Sequence, residues 1–381
     1  MQKRVCFLTS AHPPFDVRVY HKEAKTLVAA GYEVTIVVPH AECVCASGVQ
    51  IRAVSPPVNR WERLLIQGRI WRVALAEKAD VYHLQDPELV PLGFMLKVFG
   101  KKVVYDVHED LHEDILIKDY VPRTIRYPLA FISDVVEKLL SRSFEAILPA
   151  TDGIAAKFNH CKRVIVLRNY PRLAQFASSG KRPQPHPEFR CAYIGCLTAV
   201  RGISELVQAM GSLSDTMNAR LVLCGKFESE RYERDVRAED GFQKTDFLGW
   251  VDYRQVPDLL ATVDAGMVCV LPLPHFLVGL PLKLFEYMAA GLPVIASNFP
   301  LWREIIESAG CGICVDPQNP MEIAAAIRYL CDHPEERRAM GERGRRAVRE
   351  RFNWEEEGKK LISVYQELLG VGRSPQILRD E

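Results

Sequence analysis

Short runs of β-branched and aliphatic residues alternate with stretches of helical spacing through the first half of this 381-residue chain. The pattern predicts strands over residues 5–8, 34–38, 81–84, 103–105, 147–148 and 164–167. Because these runs are apolar at consecutive positions, they fit strands covered on both faces, as in a parallel sheet between helical layers. The pattern restarts at residues 192–195, followed by a helix over 203–210 and a strand over 221–223. Two such βαβ openings predict an α/β chain of two Rossmann-like, doubly wound domains. Residues 172–188 contain SSGKRPQPHPE, whose prolines and small polar residues read as a linker, so the domains are placed at 1–171 and 189–353. A densely charged helix is predicted over 334–352, then a helix over 355–369 with Leu361, Val364, Tyr365 and Leu368 as its apolar stripe.

The most informative stretch is GLPLKLFEYMAAGLPVIAS, residues 279–297. Pro281 suits a first helical turn, Leu282, Phe285 and Met288 recur at helical spacing, and Gly291 and Pro293 end the helix before the apolar run Val294, Ile295, Ala296. Lys283 places a cation in the first turn, where open N–H groups and the macrodipole favour negative charge. A bound anion resolves that conflict, since helix N-termini after Gly or Pro loops bind phosphate. Glu286, one turn on, is placed to accept hydrogen bonds from a hydroxyl-bearing group beside the phosphate, and phosphate beside a sugar suggests a nucleotide. On spacing alone, a solvated lysine on an amphipathic helix fits equally well.

Residues 283–297 resemble the nucleotide-sugar-binding signature of the retaining glycosyltransferases of family four. The resemblance implies a GT-B fold, two Rossmann-like domains facing each other across a cleft, with a terminal helix in 354–381 that crosses back to the first domain. It implies that Glu286 holds the donor ribose, with Lys283 and Leu284 in the donor site, and that residues 275–280, with Gly279 and Leu280, line the sugar through backbone N–H groups. The family pattern carries a second glutamate eight residues before the first. Here that position is Val278, as in a branch of the family that lacks it.

Ligands of open α/β sheets sit beyond the carboxyl ends of the strands, and four loops there stand out. After the first strand, SAHPPFDVR lacks the GxGxxG fingerprint of dinucleotide enzymes. Asp16 and Arg18 in this loop either pair as a clasp or contact substrate, and the resemblance favours contact. In HLQDPE, Asp86 reads as a helix cap. In YDVHED, a histidine among three acids at a strand end is an acid–base candidate whose pKa the acids would raise. The segment is similar to the family motif whose histidine lies beside the transferred sugar, which makes His108 the expected catalytic-side residue. In GCLTAVRG, Gly195 permits close backbone approach and Arg201 offers a fork of donors to a diphosphate. The family often has two cations here, and Cys196 stands at the first. Residues 247–251 resemble the segment that meets the nucleobase, through backbone groups of Gly249 and Val251.

Charge is balanced, 49 basic against 48 acidic side chains, so nothing attracts nucleic acid in bulk. With no run near the ~20 apolar residues of a spanning helix and no signal-peptide pattern at the start, the expected location is cytoplasmic. Eleven cysteines, scattered singly in apolar runs, read as reduced thiols. Cys311 and Cys314 have metal-ligand or redox spacing, but no second pair completes a zinc site and a strand end follows. Neither a metal nor a cofactor is expected, since Arg201, Lys283 and a helix terminus could stabilise the diphosphate. The expected function is transfer of a hexose from a UDP- or GDP-sugar to a glycan or lipid-linked acceptor with retention, in cell-envelope polysaccharide synthesis. A nucleotide-sugar epimerase of the same fold and a non-catalytic sugar-nucleotide binder are the alternatives. Basic, aromatic and apolar residues mix in 59–79 (Trp61, Leu64, Leu65, Trp71) and 115–131 (Lys118, Tyr120, Tyr127, Phe131), which makes peripheral contact with an anionic membrane a further expectation.

Overall fold

Five of the six runs predicted as strands in the first half pair in one sheet. A computed structural model, which describes residues 2–57, 62–108, 110–117, 122–176 and 188–371, shows β1 (Arg4–Leu8), β2 (Glu33–Pro39), β3 (Val44–Ala46), β4 (Val49–Val54), β5 (Val81–Leu84), β6 (Lys102–Val107) and β7 (Ala146–Pro149). Their order is β3-β4-β2-β1-β5-β6-β7, parallel throughout except the antiparallel β3–β4 edge. The short β3 and β4 were not predicted, and 164–167 is not a full strand. It meets β7 through one bridge, Ile147 with Val164, and a few main-chain bonds along the edge.

A second sheet follows: β8 (Phe189–Ile194), β9 (Ala219–Cys224), β10 (Thr245–Gly249), β11 (Ala265–Val268), β12 (Val294–Ser297) and β13 (Gly312–Val315), all parallel, in the order β10-β9-β8-β11-β12-β13. In each sheet the strand order reverses beside the first strand, between β1 and β5 in one and between β8 and β11 in the other. Right-handed crossovers then send the chain to opposite sides, and the loops at that point diverge to leave a crevice beyond the carboxyl ends.

The chain divides into two units, Met1–Asn169 with Trp354–Glu381, and Tyr170–Asn353. Much of the segment read as a linker, residues 177–187, lies outside the described residues. Its start is not linker: Tyr170 and the helix Leu173–Phe176 pack into the core of the second unit. The terminal helix Trp354–Leu369 belongs to the first unit. Leu361, Val364 and Tyr365 are buried in its core, the Trp354 indole donates to Thr26 Oγ1 at 2.8 Å, and Tyr365 Oη lies 2.8 Å from His83 Nδ1.

Cys311 precedes β13 and Cys314 lies within it, and all eleven cysteines are free thiols. The helix Glu62–Glu77 covers the sheet more completely than its mixed pattern suggested. Ile66, Ile70 and Ala74 are fully buried, Trp71, Val73 and Leu75 pack on the same core, and the Trp71 ring lies 5.6 Å from Phe99. The described apolar residues on both sides of this helix therefore have cover. Trp61, Arg60 and the side chains of Arg63, Leu64 and Leu65 lie outside the described residues, as do Lys118 and Tyr120. No described helix is long and apolar enough to cross a membrane.

Tyr365→Phe removes the partner of a fully buried imidazole nitrogen. An unsatisfied buried polar group costs about 1–3 kcal/mol, and denaturant unfolding of this variant should show a loss of that size.

Candidate active site

Thr9 to Arg18 leave β1 at the strand reversal, and Gln85 to Glu88 leave β5 next to them. Asp86 fastens the two loops together. Its carboxylate accepts from Thr9 Oγ1 at 2.8 Å, from the Ser10 N–H at 2.7 Å and from the Ala11 N–H at 3.3 Å. Asp86 does stand at the N-cap of the short turn Pro87–Leu89, but its side chain makes no capping bond, so the predicted cap is a loop tie instead.

Asp16 and the Arg18 side chain do not form the clasp that was one of their two readings. Asp16 caps its own loop, accepting the N–H groups of Arg18 and Val19 at 2.8 and 2.9 Å. The Arg18 guanidinium turns inward, is 3% exposed, and bonds both oxygens of Asp106 at 2.8 and 2.7 Å while pairing with Glu23 at 2.9 Å. It is therefore a buried anchor rather than a substrate contact. Burial would raise Asp106, but Arg18 and then His108 hold it well below the usual carboxylate range. Burial and the neighbouring Asp106 charge push Glu23 well above it. One cation thus faces two carboxyl groups, and of the two Glu23 holds a proton the more readily. Glu23, His83 and Asp106 could each aim a ligand atom at one point, but the guanidinium already satisfies the two acids. His83 is pushed down to about 3 by burial and stays neutral.

This network holds His108. Its Nε2 lies 3.0 Å from Asp106 Oδ2 and 2.9 Å from Gln85 Oε1, and Gln85 in turn donates to Glu23 at 3.0 Å. Asp110 pairs with Lys157 instead of the histidine, and Glu109 lies outside the described residues. Sequence reasoning passed over His12. Its ring stands 5.0 Å from that of His108, with Nδ1 3.5 Å from Asp16 and Nε2 3.5 Å from Asp86. Burial opposes its charge, but Asp16, Asp86 and Asp106 together raise its pKa. Burial likewise opposes the charge of Asp16, which His12 and two N–H groups hold at about 2. The i,i+4 spacing of His12 and Asp16 was the available signal.

A cavity of about 550 Å³ opens beside these groups, lined by His12, Asp86, His108, Tyr105, Ser133 and Glu137 among others. Glu137 is 6% exposed, accepts from Tyr105 Oη at 2.6 Å, and burial pushes its carboxyl up to about 7.

In the second unit the reversal brings together the loop after β8 and the loop that leads into the helix Leu282–Ala290. Lys283 Nζ is buried without a hydrogen-bond partner, although the residue as a whole is half-buried. It sits 3.9 Å above the Tyr193 ring. Burial, and next the charge of Arg201, hold it well below the usual lysine range. Gly195 makes room for it: at φ +141°, an added Cβ would lie 2.8 Å from Nζ. Gly225, at φ +148°, lets its neighbour approach even closer, since a Cβ there would meet Gly195 O at 1.7 Å. The Arg201 guanidinium stacks over Phe276 at 5.3 Å. Glu286 is buried beside Tyr253, one turn after Lys283. No side chain caps this helix, so its first N–H groups stay open.

The remaining predicted positions divide. Leu284 has its side chain in the core, and its N–H bonds Pro281 O at 3.1 Å, so neither is available to a ligand. Residues 274–278 form a helix rather than a loop, with Val278 exposed at its end, and the side chain of His275 lies outside the described residues. Gly279 and Leu280 follow as the loop, where Gly279 O accepts from the Trp302 indole at 2.7 Å. Gly249 ends β10 and its carbonyl accepts from the Gly225 N–H at 2.7 Å, with Val251 packed partly on the core behind it.

Arg18→Met would leave Asp106 buried without its cation, and breaking such a pair costs about 3–5 kcal/mol, measurable by denaturant unfolding. Glu137 gives a pH signature. Its carboxyl is protonated in the native state and ionised in the unfolded chain between 4.5 and about 7, so stability falls as pH rises through that window. Glu137→Gln should flatten the slope, by up to ~3 kcal/mol at its upper end.

Comparison with known proteins adds the family. Residues 17–164 match the glycosyl transferase 4-like domain and residues 175–347 the glycosyl transferases group 1. An uncharacterized glycosyltransferase of Methanocaldococcus jannaschii is 30% identical over 46% of this chain and 44% of its own length, so the match spans less than half of that relative. An MMP alpha-(1->4)-mannosyltransferase of Mycolicibacterium hassiacum is 27% identical over 79% of this chain and 74% of its own. The Anabaena protein HepE, solved in complex with UDP and glucose, superposes with a TM-score of 0.71 at 14% identity, covering 96% of this chain and 100% of that one. With both domain types present in order on a GT-B-type pair of Rossmann-like units, the chain belongs to the group 1, family-four glycosyltransferases.

Proposed function

We propose that the protein transfers a hexose from a nucleotide-diphosphate sugar to a hydroxyl of a glycan or lipid-linked acceptor, with retention of configuration, as a step in cell-envelope polysaccharide synthesis. The observation that carries this reading is Lys283, whose buried Nζ has no hydrogen-bond partner at an uncapped helix start, beside Arg201. An anion with two or more charges satisfies both cations and the open N–H groups, and a diphosphate is such an anion. Glu286 then meets the ribose one turn on, and backbone groups around Gly249 and Val251 meet the base. The loop of Gly279 and Leu280 adjoins the sugar.

As the bond from the anomeric carbon to the diphosphate breaks, negative charge grows on the departing oxygen. Lys283, Arg201 and the helix terminus are fixed beforehand to stabilise it. The acceptor belongs in the cavity beside His108, where His12, Asp86 and Glu137 offer hydrogen bonds to its hydroxyls. Arg18 acts at one remove, by positioning Asp106 and through it His108. Retention rests on the family, and the mannosyltransferase relative supports a hexose donor.

Charge-assisted bonds are worth about 1.5–3 kcal/mol each, so Lys283→Met should weaken UDP or GDP binding by roughly ten- to a hundredfold in calorimetry. Unchanged affinity would refute the assignment. With a donor panel, release of nucleotide should require acceptor, and proton NMR of the new linkage should show the donor's anomeric configuration. An epimerase would release nucleotide or free product without acceptor, and a silent binder would release none.

A further inference from the structure

The helix Arg123–Ser141 is inside out. The face toward the protein carries Ala130, Glu137 and Ser141, all buried. The opposite face carries Leu129, Phe131, Ile132, Val135, Val136 and Leu139, between 39% and 64% exposed. Hydrophobic partition predicts the reverse for a helix whose outer face meets only water. Beside it, the helix Val90–Val98 ends in Val98, 72% exposed, and is followed by Phe99, 64% exposed. The two helices together make a continuous apolar surface of the kind that marks an interaction site.

Charge identifies the occupant. Around this surface stand the exposed Arg123 and Arg142, with Lys101 and Arg126 half-buried. The helix's own acids do not offset them: Asp134 is paired with Lys138, and Glu137 faces inward with a raised pKa. An apolar face with a basic rim on one helix is the arrangement that seats in the headgroup layer of an anionic leaflet. A second copy of the chain would bring the same basic rim against itself. The face also adjoins the cavity, since Ser133 and Val136 of this helix line it with His12, Asp86 and His108.

We propose that the Arg123–Ser141 helix, with residues 98–99 beside it, docks the first unit on an anionic lipid surface. Lodged in the headgroup layer, it sets the cavity mouth at the level where the sugar or phosphate head of a lipid-borne acceptor lies. The choice of a lipid-borne acceptor rests on the transferase reading, whereas docking itself does not.

Sedimentation with phosphatidylcholine vesicles, with and without phosphatidylglycerol, tests it. The full chain should pellet with the anionic vesicles at low salt and much less at 0.5 M salt, about the level at which screening shortens to a few ångströms. Phe131→Ser with Ile132→Ser should lower partition at least tenfold. Arg142→Ala should lower it about fivefold, the equivalent of ~1 kcal/mol per cation near the leaflet. Both variants change exposed positions, and nucleotide binding by calorimetry should be unaffected, which separates this proposal from the donor assignment. Three results would overturn it: no pelleting of the full chain at low salt, pelleting indifferent to these substitutions, or a dimer in solution that the serine variant dissolves.

Discussion

A parallel sheet whose strand order reverses beside its first strand cannot close the gap where its loops part, and both units are built on that constraint. In the first unit the gap receives the loops after β1 and β5, tied by Asp86. In the second it receives the loop after β8 and the helix that starts at Leu282. Among the described residues, Arg18, Glu23, Asp106 and the Nζ of Lys283 are buried charged groups that collect at these two places. The central strands of each sheet are mostly apolar and buried.

The two sites meet the cost of buried charge in opposite ways. In the first unit the charge is met internally: Arg18 pairs with both Asp106 and Glu23, and the set holds Gln85 and His108 by hydrogen bonds. Such a network orients side chains and leaves little charge over for a ligand. In the second unit the charge is not balanced. Lys283 and Arg201 stand together at the positive end of a helix, with Glu286 and the face of Tyr193 as the groups that favour the lysine's charge. A site with spare positive charge and pre-set donors favours an anionic leaving group, and a site with neutralised charge and mixed hydrogen-bonding groups favours hydroxyls. That division is the one the proposed donor and acceptor would require.

The fold was legible because parallel strands buried on both faces write themselves as consecutive apolar residues, as at 34–38 and 81–84. The edge strand β3 and its neighbour β4 were not, since half-covered strands mix polar residues into the run. The unusual position of Lys283 could be read from local helix physics, because the conflict between a cation and the macrodipole lies within one turn. Arg18 could not. Its partners Asp106 and Glu23 are assembled by strand order, and sequence proximity to Asp16 suggested the wrong pair. The inverted helix Arg123–Ser141 was hidden for a related reason: an amphipathic pattern tells that one face is apolar, but only packing tells that this face points outward.

The central claim is that Lys283 waits for a diphosphate, and the most direct measurement is a crystal structure of this chain with a nucleotide-diphosphate sugar. The account predicts a phosphate oxygen within about 3 Å of Lys283 Nζ, with Arg201 on the same diphosphate and the ribose hydroxyls on Glu286. A bound nucleotide whose phosphates lie elsewhere, with Lys283 Nζ still unpaired beneath Gly195, would contradict it.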